Sequence, residues 1–555
     1  MNKTLLSLRF CLFFILGLAS MHSSAQTFAE PRAEDVSDFG KNISRTMNLL
    51  ESSTAAKKNT VKILVYGQSI SEQNWWLAVK SDLTSRYPNA NIIMENRAIG
   101  GFAAQLLIKP MYFDVMPFYP DLILFHVYGS QFSYDTIVSE IRKLTTAEIG
   151  LQTNHGVPGP DSSTAHWDDF MSYIVMPKAA AKYKLEMMDI RTPWGHYVTD
   201  NNITADKLTI DGLHLNDHGN FLMSRLINRR LHYNSKYPAD PYRLVHTYPV
   251  GKDSPVNFST GELTLPFRGN KVDLISAPST GPLDSAAILI DNKKPSQFPG
   301  CYAFTRPNGI PHGGSINKIT SQNILLLEDW TITINSITCS AAACRFSFSL
   351  KGSKTGDDGS GTVGYDQSGK ATSSTFVSNS KRIVIRPEDW YIRQPTIAGV
   401  KIEKGFTVKW SVIPLYKDYY VFPATISDPS IENVTVAAQG IENKDHVLKI
   451  VPLGNKNVPI QAIRIYTPYW TADSALATAV QSPEKMHDLK LSPNPSYDQL
   501  HVHYPKTHGT SEVLSVYDAL GQKVDIENVS TADGSTLNVR PLKEGMYFIR
   551  LEING

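Results

Sequence analysis

Cysteine is scarce in this chain, which has only four cysteines among 555 residues. That count excludes a small disulfide scaffold, because a chain of this length can bury a full core without such cross-links. After residue 25 the cysteines are Cys301, Cys339 and Cys344, and none has the spacing of a zinc site. In an oxidising compartment Cys339 and Cys344 can close a small disulfide loop, and the alternative is a pair of buried free thiols.

An excess of charge of either sign is also missing. The chain has 54 Lys and Arg against 52 Asp and Glu, a net charge of +2. Because positive and negative charges are nearly balanced, the composition gives no support for binding to nucleic acid or to an anionic surface. Long apolar runs are lacking after residue 25, so no segment is predicted to span a membrane.

The apolar stretch at the start has the features of a secretory signal. Lys3 and Arg9 supply positive charge, Leu12 to Leu18 form a short apolar core, and Ser23-Ser24-Ala25 supply small residues for cleavage. Residues 1–25 are therefore predicted to be a signal peptide.

The remaining composition is that of a globular protein, with 42% hydrophobic and 19% charged residues. At this length we expect roughly three or four domains. The predicted divisions are a lead-in segment (26–60) with a helix at 43–50, an α/β domain (61–234), a β-sandwich accessory region (238–470), a polar linker (471–488) and a small C-terminal β-sandwich (489–555).

Short apolar runs alternate with helical patterns through the α/β domain. The predicted strands are 61–66, 91–95, 120–127, 149–152 and 185–190. The predicted helices are 72–87, one beginning within 101–108, 134–146, 167–183 and a last one ending near 230. This alternation predicts right-handed crossovers and a doubly wound parallel sheet.

The first strand leads into the most informative turn. The apolar run from Val61 to Tyr66 ends at Gly67, and Ser69 follows two residues later. A glycine permits a sharp bend, and the bend would place the Ser69 hydroxyl at the carboxyl end of the sheet, where open α/β sheets bind ligands. By itself such a serine is more often a helix cap than a nucleophile.

A second polar stretch, residues 211–219, favours the nucleophile. Asp211 and His214 lie three apart on a predicted loop just before the last helix of the domain. A Ser-His-Asp set requires a histidine that takes the hydroxyl proton and an aspartate that orients the imidazole. The alternative is a polar loop in which Asn216 or Asp217 caps the next helix.

Gly67-Gln68-Ser69 and Asp211-x-x-His214 together resemble the SGNH (GDSL-type) hydrolases, over about residues 60–233. In that family the nucleophile is the Ser of a Gly-Asp-Ser-like block, and Gln in place of Asp is common among carbohydrate esterases. The resemblance implies a flavodoxin-like three-layer α/β fold and ester hydrolysis that needs no metal or cofactor. It also implies that Ser69 is the nucleophile, His214 the general base and Asp211 its orienting partner.

The other blocks of the family bear on the oxyanion hole. Asn96 to Gly101 resembles the second block and implies that the Gly101 N–H is a donor beside that of Ser69, with Gly100 as the alternative. The third block departs from the usual Gly-x-Asn-Asp, because this chain has Gly129-Ser130-Gln131. Gln131 falls on the Asn position, and the other candidates for a side-chain donor are Ser130 and His126.

Residues 207–216, with Trp194 and Tyr197, resemble secreted bacterial polysaccharide esterases. That resemblance implies an acylated polysaccharide as substrate, with acetyl as the acyl group. Four histidines on predicted loops are candidates for substrate contact, although a solvated or structural role is favoured for each: His155, His166, His196 and His218.

The accessory region has short alternating runs separated by Gly, Pro, Asn and Asp turns. This pattern predicts antiparallel β-sandwich structure, in one or two units. Its late strands resemble the jelly-roll modules that pack on carbohydrate-active enzymes, which implies either glycan binding or a structural role. The Gly/Ser/Asp-rich segment 352–380 is predicted to be a long hairpin loop.

The tail from about residue 489 resembles the C-terminal sorting domain of type IX secretion substrates. The resemblance rests on Leu491-Ser492-Pro493-Asn494-Pro495, the run 513–518, Leu520-Gly521-Gln522 and the closing run 542–551. It implies recognition by the type IX machinery of Bacteroidetes-type bacteria, and release or attachment at the cell surface.

The main hypothesis is therefore a secreted serine esterase that removes O-acyl groups from a polysaccharide. The first alternative is a glycan-binding surface protein whose α/β domain is catalytically impaired, which the altered third block motivates. The second is a short-chain esterase or lipase without preference for sugars.

Overall fold

The computed structural model describes most of the chain after residue 27. The described residues are 28–156, 167–278, 283–308, 316–340, 343–367, 370–391, 396–397, 400–422, 428–469, 490–493, 496, 498–504, 511–517, 523–542 and 547–554. The predicted signal peptide (1–25), the predicted linker (471–488) and His166 lie outside them. The predicted domain boundaries stay predictions.

A five-stranded parallel sheet forms the centre of the first region. Its strands are β1 (Thr60–Gly67), β2 (Asn91–Asn96), β3 (Leu122–His126), β4 (Glu148–Gln152) and β5 (Glu186–Met188). They lie in the order β2-β1-β3-β4-β5, and every adjacent pair is parallel. This is a doubly wound order. Successive strands are added to one side of β1 (β2) and then to its other side (β3, β4 and β5), so a crevice opens at the carboxyl ends of β1 and β3.

Helices connect these strands. They are α1 (Ser44–Glu51), α2 (Ser69–Glu72), α3 (Trp75–Arg86), α4 (Ala104–Leu107), α5 (Met111–Phe118), α6 (Gln131–Leu144), α7 (Trp167–Phe170), α8 (Met176–Tyr183), α9 (Arg191–Asp200) and α10 (Asp217–Arg230). A π-helical turn, Met171–Val175, joins α7 to α8.

The sheet is buried on both faces because its strands are apolar at successive positions. On β1, Leu64 and Tyr66 pack into one hydrophobic cluster, whereas Ile63 and Val65 pack into another. Successive side chains of a strand point to opposite faces, so a strand covered on both sides has an apolar run instead of an alternating pattern.

The helices differ from the sequence prediction in three places. The predicted helix 72–87 is interrupted at Gln73, which is extended and separates α2 from α3. The predicted helix within 101–108 is a single turn, and α5 follows it. Helix α9 occupies a segment that was predicted to be a loop, although it contains Pro193 and Gly195. Pro193 is tolerated because it lies in the first helical turn, where a proline removes no intrahelical hydrogen bond.

Antiparallel sheets follow, as the alternating runs predicted. Their strands are β6 (Val245–Pro249), β7 (Leu263–Ser276), β8 (Ala286–Ile290), β9 (Tyr302–Phe304), β10 (Asp329–Cys339), β11 (Ala343–Gly352), β12 (Gly356–Asp366), β13 (Phe376–Val377), β14 (Val384–Ile385), β15 (Thr396–Ile397), β16 (Val400–Lys401), β17 (Thr407–Pro414), β18 (Tyr419–Tyr420), β19 (Val434–Pro452) and β20 (Ile460–Tyr466). One sheet has the order β12-β11-β10-β17-β9 and another β18-β8-β19-β7-β20-β6. The jelly-roll topology stays a prediction.

The prediction of a loop over 352–380 is wrong, because β12 occupies much of it and pairs with β11. Val363 and Tyr365 are buried in the core of that sheet. The buried Asp358 carboxylate accepts hydrogen bonds from the backbone N–H and the hydroxyl of Ser380. The polar composition concealed this strand, because only four of its eleven residues are buried and they do not alternate.

Cys339 and Cys344 form a disulfide across the turn between β10 and β11, and Cys301 is a buried free thiol. Within the described residues, no helix is long and apolar enough to cross a membrane.

Two small sheets make up the described part of the tail. Their strands are β21 (Lys490–Ser492), β22 (Gln499–His503), β23 (Ser511–Tyr517), β24 (Lys523–Val524), β25 (Asn528–Thr531), β26 (Gly534–Asn538) and β27 (Phe548–Asn554). The first sheet has the order β21-β22-β26-β25 and the second β24-β23-β27.

Candidate active site

The turn after β1 presents Ser69 at the crevice of the sheet. Gly67 pairs with His126 on β3, and a Cβ atom at Gly67 would lie 2.0 Å from the His126 carbonyl oxygen. Only glycine fits this close approach of the two strands. The chain then bends at Gln68, whose N–H donates to the same carbonyl, and Ser69 begins α2.

The loop before α10 has the form of a small hairpin. Thr209 and Leu215 pair as a β-bridge, and the Ile210 N–H donates to the His214 carbonyl at 2.7 Å. Asp211 sits at the tip, where its Oδ1 accepts the N–H groups of Leu213 and His214. The Asp211 carboxylate therefore shapes the loop as well as facing the imidazole.

The structure brings Ser69, His214 and Asp211 together. His214 Nδ1 lies 2.7 Å from Asp211 Oδ2, and His214 Nε2 lies 3.0 Å from Ser69 Oγ. An ionised carboxylate only accepts hydrogen bonds, so Nδ1 carries the proton and Nε2 is free to accept that of the hydroxyl. The hydrogen bonds from the His214 side chain and backbone hold the pKa of Asp211 well below its usual range, so the carboxylate is ionised at neutral pH.

This group of side chains is open to solvent. The His214 side chain is 36% exposed and that of Asp211 is 54% exposed. Apolar side chains beside them are exposed as well, namely Ile210 and Leu213. A bulky substrate can therefore reach the serine hydroxyl without entering a closed pocket.

Residues 97–102, which we call the oxyanion loop, follow β2 and bond to both sides of the Ser69 turn, at the Gly67 carbonyl and at the Glu72 carboxylate. Five of the six N–H groups in this loop have an acceptor: those of Arg97, Ala98, Ile99, Gly100 and Phe102. The acceptor for Gly100 is Glu72 Oε1, at 2.6 Å. Among the described residues the N–H of Gly101 makes no hydrogen bond, and Gly101 has φ +74°, a conformation that favours glycine. Of the two alternatives, Gly101 is therefore the one with a free N–H.

Two candidates for a side-chain oxyanion donor, Ser130 and Gln131, lie at the start of α6, and the third, His126, is the last residue of β3. Gln131 is the first residue of α6, and within the described part of the chain its side chain makes no hydrogen bond to Ser69, His214 or Asp211. Ser130 caps the helix by accepting from the Ser133 N–H. His126 is buried, and burial lowers its pKa to about 3. The assignment of a third donor stays a prediction.

Gln73 and Glu72, neither of which the sequence patterns single out, tie these loops together. Gln73 Oε1 accepts the Leu215 N–H and Gln73 Nε2 donates to the Leu215 carbonyl, both at 2.9 Å. This pair fixes the residue after His214 to the residue after α2. Glu72 in turn fixes the oxyanion loop through Gly100. The pattern offered no signal for either, since both look like ordinary polar residues of an amphipathic helix.

The histidines proposed for substrate contact occupy other settings. His155 is buried against Trp194, with ring centroids 5.1 Å apart. His196 lies within α9, and His218 lies in the first turn of α10, where Nε2 is 2.8 Å from the Tyr197 hydroxyl. The prediction that His196 and His218 lie on loops is therefore wrong.

A cavity of about 470 Å³ opens between the Gln73 turn and the hairpin loop. Its lining residues are mostly amides and carboxylates: Glu72, Gln73, Asn74, Ile210, Leu215, Asn216, Asp217 and Asn220. The amides of Gln73, Asn216 and Asn220 in this lining already hydrogen-bond to groups of the protein itself.

Comparison with known proteins identifies the tail. Residues 490–555 match the family model described as a secretion system C-terminal sorting domain. The chain is therefore a type IX secretion substrate, delivered to the cell surface or released. No curated protein sequence matches this chain.

Several solved structures are similar to parts of the chain. An acetylxylan esterase from Geobacillus stearothermophilus has 16% identity and a TM-score of 0.29, over 33% of this chain and 98% of the esterase. A two-domain esterase active on acetylated mannans has 12% identity and a TM-score of 0.29, over 78% of this chain and 97% of that one. An α/β hydrolase from the metagenome of Lake Arreo, Spain, has 15% identity and a TM-score of 0.28, over 31% and 94%.

Proposed function

We propose that this protein is a secreted serine esterase that removes O-acyl groups, with acetyl as the acyl group, from a polysaccharide outside the cell. The observation that carries the proposal is the line of hydrogen bonds from Ser69 Oγ through His214 to Asp211. A hydroxyl, an imidazole and a carboxylate in that order are what nucleophilic acyl transfer requires.

In the proposed reaction Ser69 Oγ attacks the ester carbonyl carbon while His214 Nε2 takes the hydroxyl proton. The imidazolium then gives that proton to the departing sugar oxygen, which leaves an acyl-enzyme. A water molecule, deprotonated by His214, attacks the acyl carbon. The bond to Ser69 Oγ breaks, the imidazolium returns the proton to that oxygen, and the carboxylic acid leaves. Asp211 stabilises the imidazolium in both halves and keeps its proton on Nδ1.

Backbone N–H groups would stabilise the oxyanion that forms in each half-reaction. Ser69 is the first residue of α2, where a helix has no internal acceptor for the N–H. The N–H of Gly101 is the unpaired one of the oxyanion loop. Removing one oxyanion donor costs about 10²–10³ in rate where it has been measured, so these two groups are expected to supply much of the catalysis.

Two features support a sugar polymer as the substrate. The first is the exposure of His214 and Asp211, which suits a polymer chain that lies across the surface. The second is export by the type IX pathway, which would bring the enzyme to such polymers outside the cell. Acylated polysaccharide is therefore the substrate class that we propose.

The second candidate function is a glycan-binding protein with an impaired catalytic site. It is favoured by the third block, in which Gln131 stands at the position of the usual Asn and, in the described part of the chain, makes no hydrogen bond to Ser69, His214 or Asp211. This candidate predicts binding to acetylated glycans without release of acetate.

The test uses the secreted full-length protein and the variant Ser69→Ala, assayed on 4-nitrophenyl acetate and for acetate release from acetylated plant and algal polysaccharides. The chain offers a matched control in its tail, where Ser492 Oγ lies 3.2 Å from His503 Nε2 and His503 Nδ1 lies 3.0 Å from Asp533 Oδ2. We expect Ser69→Ala to abolish turnover and Ser492→Ala to leave it unchanged.

Other outcomes separate the alternatives. Equal turnover by wild type and Ser69→Ala would end the assignment of the nucleophile. Binding of acetylated glycans without acetate release would support the impaired protein. Rapid hydrolysis of 4-nitrophenyl acetate with no release from any polymer would identify a general short-chain esterase.

A further inference from the structure

The antiparallel β region contacts the α/β region at the first residue of the oxyanion loop and at α5. Arg306, two residues after β9, extends its guanidinium to Asp114 on α5. Its Nε lies 3.0 Å from Asp114 Oδ1 and its Nη2 lies 2.7 Å from Asp114 Oδ2, which is a bidentate ion pair. The two side chains are 15% and 4% exposed. A bidentate pair with so little exposure fixes both partners in one geometry.

The same guanidinium also reaches the oxyanion loop. Arg306 Nη2 donates a hydrogen bond of 2.7 Å to the carbonyl oxygen of Arg97, the first residue of the loop. Arg97 in turn donates from its own Nη1 to the Asp114 carbonyl at 2.8 Å. Arg97, Asp114 and Arg306 therefore form one connected unit that spans the two regions.

The far end of the loop meets the β region as well. The ring of Phe102 packs against the ring of Tyr391, with centroids 5.1 Å apart. Gly101, whose N–H is unpaired, lies between these two supports. The β region thus contacts both ends of the loop that carries the proposed oxyanion donor.

We propose that Arg306 is a positioning residue for ester hydrolysis: it holds the oxyanion loop from the β region so that the Gly101 N–H points at the developing oxyanion. This inference rests on the proposed function and deepens it, because it makes the β region part of the catalytic apparatus. The physical reason is that a hydrogen-bond donor stabilises a transition state only if it is fixed before the charge develops.

A structural role alone makes a different prediction. Removing Arg306 leaves the Asp114 carboxylate buried and unpaired, which destabilises the fold whatever happens to catalysis. The double variant Arg306→Met/Asp114→Leu leaves no such charge and is expected to recover stability. It cannot restore the bond to the Arg97 carbonyl, so stability and rate separate in this variant.

The experiment measures kcat, KM and thermal unfolding for wild type, Arg306→Met and the double variant, on 4-nitrophenyl acetate with the full-length protein. The control is Lys109→Met, which removes another ion pair between the same two regions, with Asp389 at 2.9 Å, and touches no residue of the oxyanion loop. We expect kcat to fall about 10- to 100-fold in both Arg306 variants with KM within about twofold, because an oxyanion donor acts on the transition state. Lys109→Met is expected to keep the wild-type kcat.

Three results would overturn the inference. The first is an unchanged kcat in Arg306→Met while Ser69→Ala is inactive, which leaves the proposed function standing. The second is recovery of kcat together with stability in the double variant, which assigns Arg306 a structural role only. The third is an equal loss of kcat in Lys109→Met, which assigns the effect to docking of the regions in general. A wild-type protein that hydrolyses no ester would instead refute the proposed function, and this inference with it. If Arg306→Met does not fold, the double variant gives the same distinction.

Discussion

Replacing Gln73 with leucine tests whether the serine and histidine loops are held in register by a single side chain. Leucine keeps much of the volume of glutamine but makes neither hydrogen bond to the Leu215 backbone. Each such bond contributes about 0.5–1.5 kcal/mol to stability. The two bonds of 2.9 Å therefore correspond to a loss of about 1–3 kcal/mol in the free energy of unfolding.

The expected effect on catalysis is larger than the effect on stability suggests. Leu215 follows His214 directly, so release of its backbone lets the imidazole move relative to Ser69 Oγ, now 3.0 Å away. A misplacement of about 1 Å can cost on the order of 10²-fold in rate. We expect kcat to fall about 10- to 100-fold, with KM little changed because the cavity lining is otherwise intact.

Wild type and Gln73→Leu are compared in two measurements, steady-state hydrolysis of 4-nitrophenyl acetate and unfolding in urea. Asn59→Leu is the matched control, because the Asn59 amide also makes two hydrogen bonds, to the Leu49 carbonyl and the Ser52 hydroxyl, at the opposite end of β1. The control is expected to lose similar stability and keep its kcat. Lost stability with unchanged kcat in Gln73→Leu would refute the argument that this amide aligns the two loops.

Two further predictions concern groups outside the site. Burial raises the pKa of the Cys301 thiol to about 12, so its reaction with a thiol reagent at pH 8 is expected to be roughly a thousandfold slower than in the unfolded chain. One reactive thiol per mature chain should appear in denaturant; rapid labelling of the native protein, or three thiols in denaturant, would contradict the burial or the disulfide. Burial, opposed by nearby carboxylates, also lowers the pKa of Lys62 from its ordinary 10.5 to about 8. Between those values the folded chain binds fewer protons than the unfolded chain, so stability rises with pH. Relative to Lys62→Met, wild type should therefore gain about 2 kcal/mol between pH 7.5 and 9.5 in urea unfolding, and a constant difference would refute the shift.

The strands of the parallel sheet could be predicted because burial leaves a local signal. The run from Val61 to Tyr66 is apolar at every position but one, and β1 covers it. Strand β20 covers Ile460 to Tyr466 for the same reason. The polar strand β12 was not predicted, because its few buried side chains become informative only beside their partner strand.

The candidate site, too, has residues with a local sequence signal and residues whose role depends on distant partners. Ser69 and the pair Asp211 and His214 each follow a recognisable local pattern, so they could be proposed as partners although 142 positions separate Ser69 from Asp211. Gln73 and Arg306 could not be found in this way. Their partners, the Leu215 backbone and Asp114, are distant in the chain, and a single sequence holds no record of such contacts.

The sequence by itself determined the alternation of strands and helices, the turn that presents Ser69, the spacing of Asp211 and His214, and the sorting tail. Each of these depends on neighbouring residues, through hydrophobic periodicity and backbone preference. Only the tertiary structure decided which N–H of the oxyanion loop is free and which side chains hold that loop. Those properties depend on hydrogen bonds between segments far apart in the chain. Glu72 accepts the hydrogen bond of the Gly100 N–H and leaves the Gly101 N–H unpaired.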